Sequence, residues 1–192
     1  MKHYIIYIPG LGDRYDGLRR FLLFFWRIFG VTVEHVPMKW YDGKPYEEKY
    51  KRVDSAIRNA QTLGYTVSVI GESAGGSMAM NIFAGNDTIY RMISLCGVNT
   101  ARSPIASSIF RKGPAFKTSV ASIADSQTDV KKDKIDHITS ITALYDPTVP
   151  VARNSIPGAR HVKLWSIGHF PTIVLALSLL SFIVVREVRR TI

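Results

Sequence analysis

Short runs of β-branched and aromatic residues recur along the chain, and longer segments of helical character fill the intervals. Residues 4–8 (YIIYI) make the first run and stop at Pro9-Gly10, a strong break. Residues 17–29 (GLRRFLLFFWRIF) have helix length and stop at Gly30, after which residues 31–36 read as a second strand. Residues 47–63 carry Tyr50, Val53, Ile57 and Ala60 at helical spacing and end at Gly64, a natural C-terminal stop. Residues 65–70 form a third strand, followed by a helix that starts near Ser73, continues over 77–84 and ends at Gly85. Strands at 89–96, 138–145 and 161–165 follow, before a last apolar helix that begins near Thr172. Six short apolar strands that barely alternate, separated by helices, predict an α/β protein whose parallel sheet is covered on both faces. In such sheets ligands bind at the carboxyl ends of the strands, so candidate residues can be sorted by the strand end they occupy.

That sorting gives weight to Gly71-Glu72-Ser73-Ala74-Gly75, at the carboxyl end of the third strand. A nucleophile on a sharp strand-to-helix corner needs a strained backbone free of crowding, hence small residues two places before and after it. The helix starting there aims its positive end at the reaction centre. Of the five histidines, His3, His137 and His161 fall at the amino-terminal starts of strands. His35 ends the second strand but is followed at once by Val36 and Pro37, whereas His169 lies just past the sixth strand and is the best base by position. Asp146 directly follows the fifth strand and is the matching acid, while Asp125, Asp129 and Asp133 lie in a polar segment that reads as a solvated face. Amide donors for an oxyanion are expected from Ala74, after the nucleophile, and from Leu11 in the Pro9-Gly10-Leu11-Gly12-Asp13 loop, with Gly10 as the substitute for Leu11.

Composition narrows the classes. With 192 residues, 46% of them hydrophobic, the chain is long enough for one good core and predicts a single domain over 1–192. The single Cys96 excludes an intrachain disulfide framework, and the first apolar run is too short for a signal-peptide core, so a cytoplasmic protein is expected. The net charge of +10 raises nucleic acid and anionic membrane as partners. No zinc-finger spacing, RNP-like signature or basic helix free of apolar residues supports the first, so no nucleic-acid partner is expected. No Cys/His cluster has metal-ligand spacing, so neither metal nor cofactor is expected.

The strings Ile-Pro-Gly-Leu-Gly, Gly-Glu-Ser-Ala-Gly-Gly, Tyr-Asp-Pro-Thr-Val-Pro and Gly-His-Phe, in that order over nearly the whole chain, resemble the α/β hydrolases. In size and motifs the sequence is similar to the small single-domain serine hydrolases of the retinoblastoma-binding-protein type. The resemblance implies a Ser73, Asp146, His169 triad and a three-layer α/β/α fold with a minimal six-stranded sheet in the order 2-1-3-4-5-6. It also implies a small-molecule ester or acyl substrate, with thioesterase or acyltransferase chemistry, or a non-catalytic binding role on the same fold, as the competing readings. Glu72 stands where many members have His, and the same string with Glu is familiar from carboxylesterases. Residues 97–136 take the place of the family's lids; with Arg102, Arg111, Lys112 and Lys117 they read either as a small basic flap or as a plain surface helix.

Two segments are more apolar than a sheet-covering helix requires: residues 17–29 and residues 172–185 (TIVLALSLLSFIVV). Fourteen helical residues span about 21 Å, short of a bilayer's roughly 30 Å hydrocarbon core. The hydrolase fold places the first and last helices side by side, so their spare apolar surface would merge, flanked by Arg19, Arg20, Arg27, Arg186, Arg189 and Arg190. Mutual burial, a homodimer interface and peripheral contact with an anionic membrane are the three readings left open.

Overall fold

The computed structural model describes residues 2–100 and 107–191. Six strands, β1 (His3–Ile8), β2 (Val31–His35), β3 (Thr66–Glu72), β4 (Met92–Leu95), β5 (Ile138–Tyr145) and β6 (Arg160–Ile167), pair in parallel in the order β2-β1-β3-β4-β5-β6, as the resemblance implied. The residues of β4 and the last four of β1 are buried, which is why these runs lack a polar alternation.

One face is covered by α2 (Tyr46–Thr62), α3 (Gly75–Ala84), α5 (Pro114–Ala121) and α6 (Ile123–Asp129), which bury Ile57, Met78, Phe83, Phe116 and Ile123 in one core. The other face is covered by α1 (Asp16–Phe24), the 3-10 segment Phe25–Phe29, α8 (His169–Leu177) and α9 (Ser181–Arg189), around Leu23, Trp26, Leu177 and Val184. The Trp26 indole N–H donates to the Leu177 carbonyl at 2.9 Å, which fixes the first and last helical segments side by side. Two short α-helices, α4 (Ser107–Lys112), which buries none of its residues, and α7 (Val151–Asn154), and the 3-10 turns Asp13–Tyr15 and Lys132–His137 complete the described elements. Within residues 97–136, then, α5 and α6 contribute core residues while Arg111, Lys112 and Lys117 are exposed; Arg102 lies outside the described residues.

Three expectations differ from what is found. The fourth strand is shorter than 89–96: it ends where Cys96 takes φ +47°, a left-handed conformation that leaves the strand, while before Met92 the Tyr90 N–H and the Arg91 carbonyl still bond to Val67 and Val69 of β3 at 2.8 and 2.9 Å. The final apolar stretch is two helices, not one: Ser178 has non-helical φ −116° and ψ −101°, and α8 and α9 meet at 70°. The Ser178 hydroxyl donates to the Val174 carbonyl at 2.6 Å, a local bond that competes with helix continuation. No single helix among the described residues is long and apolar enough to cross a membrane. The third correction concerns Arg19, which does not flank the apolar surface; it is buried beneath the site.

Strand register places the site. Ile8 lies beside Gly71, Glu72 beside Leu95 and Tyr145 beside Ile167, so the segments that follow β1, β3, β5 and β6 leave the sheet at one common edge.

Candidate active site

Ser73 occupies the corner between β3 and α3 with φ +51°, a left-handed conformation that a non-glycine residue adopts only at a cost of about 1–2 kcal/mol. Three backbone bonds hold it there. Its N–H donates to the Leu95 carbonyl at 3.0 Å, and its own carbonyl accepts from the amides of Gly76 and Val98, each at 2.9 Å. The flanking glycines have a packing reason: a Cβ on Gly75 would lie 2.1 Å from the Ile8 carbonyl oxygen, and one on Gly71 would lie 2.5 Å from the carbonyl oxygen of Gly75. The corner can be this tight only where neither position carries a side chain.

The structure brings the three candidate side chains together across 96 residues of chain. His169 Nε2 lies 2.8 Å from Ser73 Oγ, and His169 Nδ1 lies 2.6 Å from Asp146 Oδ2. The other oxygen of Asp146 accepts the amides of Thr148 and Val149, both at 2.9 Å. A carboxylate facing Nδ1 fixes the proton on that nitrogen, so Nε2 presents its lone pair to the serine hydroxyl. Burial pushes the Asp146 carboxyl upward, but the bonds from His169 and the two amides outweigh it and hold the group below the usual carboxylate range.

A pH dependence of stability follows. Because the folded carboxyl releases its proton more readily than the unfolded one, the unfolded chain takes up protons first as pH falls. The contribution of Asp146 is complete above the ordinary aspartate value of about 4 and is lost as pH falls through the lower folded value. Urea unfolding at neutral pH and at about pH 3 should show a smaller acid loss for Asp146→Ala than for the parent protein.

Gly10 packs directly on Ser73, since a Cβ there would lie 2.7 Å from Ser73 Cβ. The loop that contains Gly10 and Leu11 therefore borders the serine, and Ala74 stands at the start of α3, where first-turn amides have no intrahelical acceptor. Of the remaining histidines, His35 is on the edge strand β2 with Nε2 3.3 Å from Asp16, and His161 pairs with Ser155; neither is part of the constellation. Asp125, Asp129 and Asp133 are exposed.

Side chains to which the sequence assigned no part in this loop hold it in place. Glu72, 1% exposed, accepts from the Tyr7 hydroxyl and takes a two-pronged bond from Arg19, Nε at 2.7 Å and Nη2 at 2.6 Å. Arg19 also donates from Nη1 to the Gly12 carbonyl at 3.0 Å and to Asp16 at 2.9 Å. The Trp40 indole donates to the Pro9 carbonyl at 3.0 Å. Arg19 and Trp40 thus clamp the loop from both ends, and Arg19 links it to Glu72, the residue just before Ser73. Burial works against the Arg19 charge, but the bonds and charge of Glu72 raise its proton affinity above the ordinary arginine value.

The Cys96 thiol lies close enough to Asp146 and His169 that the three could be considered a metal cluster. Burial, with the nearby Asp146 charge, pushes that thiol up to about 12, so it stays protonated. Asp146 and His169 are already committed to each other, with both carboxylate oxygens engaged. The donor set fits a triad better than a cation.

No family model matches the sequence, and no curated protein matches it either. Solved structures do superpose on it. An esterase from the fungus Rhizomucor miehei is 16% identical, with 97% of this chain and 74% of that one covered at a TM-score of 0.66. A metagenome-derived lipolytic enzyme of the LipS and LipT pair is 13% identical, covering 97% and 91% at 0.67. An alpha/beta hydrolase from the sediment metagenome of the Mar Chica lagoon in Morocco is 15% identical, covering 97% and 90% at 0.62. At these identities the likeness shows the fold, and the fold is that of the α/β hydrolases.

Proposed function

We propose that the protein is a serine hydrolase that cleaves a carboxylic ester, a small member of the retinoblastoma-binding-protein type. The observation that carries the reading is the 2.8 Å and 2.6 Å chain from Ser73 through His169 to Asp146, built on a strained corner at the carboxyl edge of the sheet. In the cycle, Ser73 Oγ attacks the acyl carbonyl while His169 Nε2 takes its proton, and the imidazolium is stabilised by Asp146. The tetrahedral oxyanion is met by the amides of Ala74 and Leu11, with Gly10 as the alternative to Leu11. Collapse of that intermediate passes the proton from His169 to the leaving alcohol and leaves an acyl-enzyme, which water then releases by the same steps. No metal or organic cofactor is needed.

The solved structures of the same fold support ester chemistry, being described as an esterase and as a lipolytic enzyme. Labelling of the protein by a fluorophosphonate probe, together with turnover of a p-nitrophenyl ester series of increasing acyl length, tests the proposal. Labelling at Ser73 with hydrolysis of the short esters is expected. A protein that neither labels nor turns over any ester in the series would instead be a binding protein on this fold, and labelling with thioester turnover alone would move the substrate class.

A further inference from the structure

The helical layer that buries Leu23, Trp26, Leu177 and Val184 inward presents a second apolar surface outward. Phe21, Phe24 and Phe25 are exposed, and the Phe21 and Phe24 rings each pack edge to face with Phe25, at ring separations of 5.2 and 5.7 Å. Ile28, next along the 3-10 segment, is 74% exposed. This surface continues into a groove of about 440 Å³ lined by Phe29 and Phe182 and by three arginines, Arg186, Arg189 and Arg190. Mutual burial of the two helical segments therefore accounts for only part of their apolar content.

The charge around this face is one-sided. Arg20, Arg27, Arg186 and Arg189 are exposed, and the guanidinium of Arg27 lies over the Phe24 ring at 3.6 Å. The elements of this layer contain two acids, Asp16 and Glu187, and both are engaged by arginine, Asp16 by Arg19 and Glu187 by Arg160 and Arg186. A two-fold dimer through the same face would set arginines against arginines with no free carboxylate to separate them. An anionic lipid surface meets both features at once: rings enter the interfacial region while arginines reach phosphates.

We propose that α1, the 3-10 segment Phe25–Phe29 and α9 form a docking face for an anionic membrane. The face lies along the membrane and spans nothing: α8, which begins at His169, is pinned in the core by Ile173, Ala176 and Leu177. Its orientation puts the site at one end of the face. Tyr15, just before α1, and Phe170, beside His169, are in ring contact at 5.0 Å.

Vesicle flotation tests this with the full chain, without turnover, so its failure and the failure of the hydrolase reading are separate results. The protein is expected to float with phosphatidylcholine vesicles containing about a quarter phosphatidylglycerol and not with phosphatidylcholine alone, and to be released as salt rises to about 0.5 M. Arg20→Glu with Arg27→Glu should weaken binding by about thirtyfold, and Phe21→Ser with Ile28→Ser by about tenfold. All four positions are exposed, and thermal melts check that the variants remain folded. Flotation of either double variant at the parent level would overturn the proposal. So would failure of the parent to float, including the case in which the Phe21/Ile28 variant turns a sedimenting dimer into a monomer, which would assign the face to a second copy.

Discussion

Alanine at Ser73 or at His169 is expected to lower kcat for a p-nitrophenyl ester by about 10⁴- to 10⁶-fold, and the double variant should be no slower than the worse single one. The non-additivity is the sharper part of the expectation, because two groups that exchange one proton across 2.8 Å act as a unit. Asp146→Asn should cost about 10³- to 10⁴-fold for a different reason, written in the bonding around the carboxylate. Oδ1 accepts two amides, from Thr148 and Val149, so an asparagine must place its carbonyl oxygen there and turn its NH₂ toward His169 Nδ1. Nδ1 must then accept, the ring proton moves to Nε2, and the lone pair that should receive the serine proton is gone. Stopped-assay rates for the four variants, at equal folded concentration, decide this. Additive losses, or an Asp146→Asn enzyme near parental rate, would remove the triad as the machinery.

Much of this architecture was legible because the informative signals were local. Pro9-Gly10, Gly30, Gly64 and Gly85 end elements through backbone chemistry alone, and a run such as YIIYI has few alternatives to a buried strand. Once the strands were placed, their carboxyl ends put Ser73, Asp146 and His169 at one edge, because parallel strands share that edge by construction. The misreadings came from local backbone conformations and side-chain bonds that hydropathy does not show. Ser178 interrupts a stretch whose hydropathy shows no break, through one hydroxyl-to-carbonyl bond. Cys96 takes φ +47° and ends the fourth strand in a run whose hydropathy shows no break. Arg19 read as one more arginine beside an apolar patch, yet a signal was present: Arg19, Leu23 and Trp26 fall at helical spacing, on one buried stripe that runs from α1 into the 3-10 segment following it. An arginine on a core-facing stripe needs an anion, and Glu72 beside the elbow serine was the unassigned acid in an apolar setting.

That pairing sets the second large effect. Arg19→Met should destabilise the fold by about 3–5 kcal/mol, since it leaves the Glu72 carboxylate buried with only the Tyr7 hydroxyl as a side-chain partner. For a chain of this length the loss corresponds to a fall in Tm of roughly 6–20 °C. The double variant Arg19→Met, Glu72→Gln should regain much of it, because removing both charges also removes the cost of burying them. Activity separates positioning from stability. Arg19 holds the Gly12 carbonyl in the loop that carries Leu11, so the double variant should stay folded at 25 °C while kcat falls and KM changes little. A double variant with full kcat would show that Trp40 and the packing of Gly10 against Ser73 suffice to set the loop, and that the buried ion pair serves the fold alone.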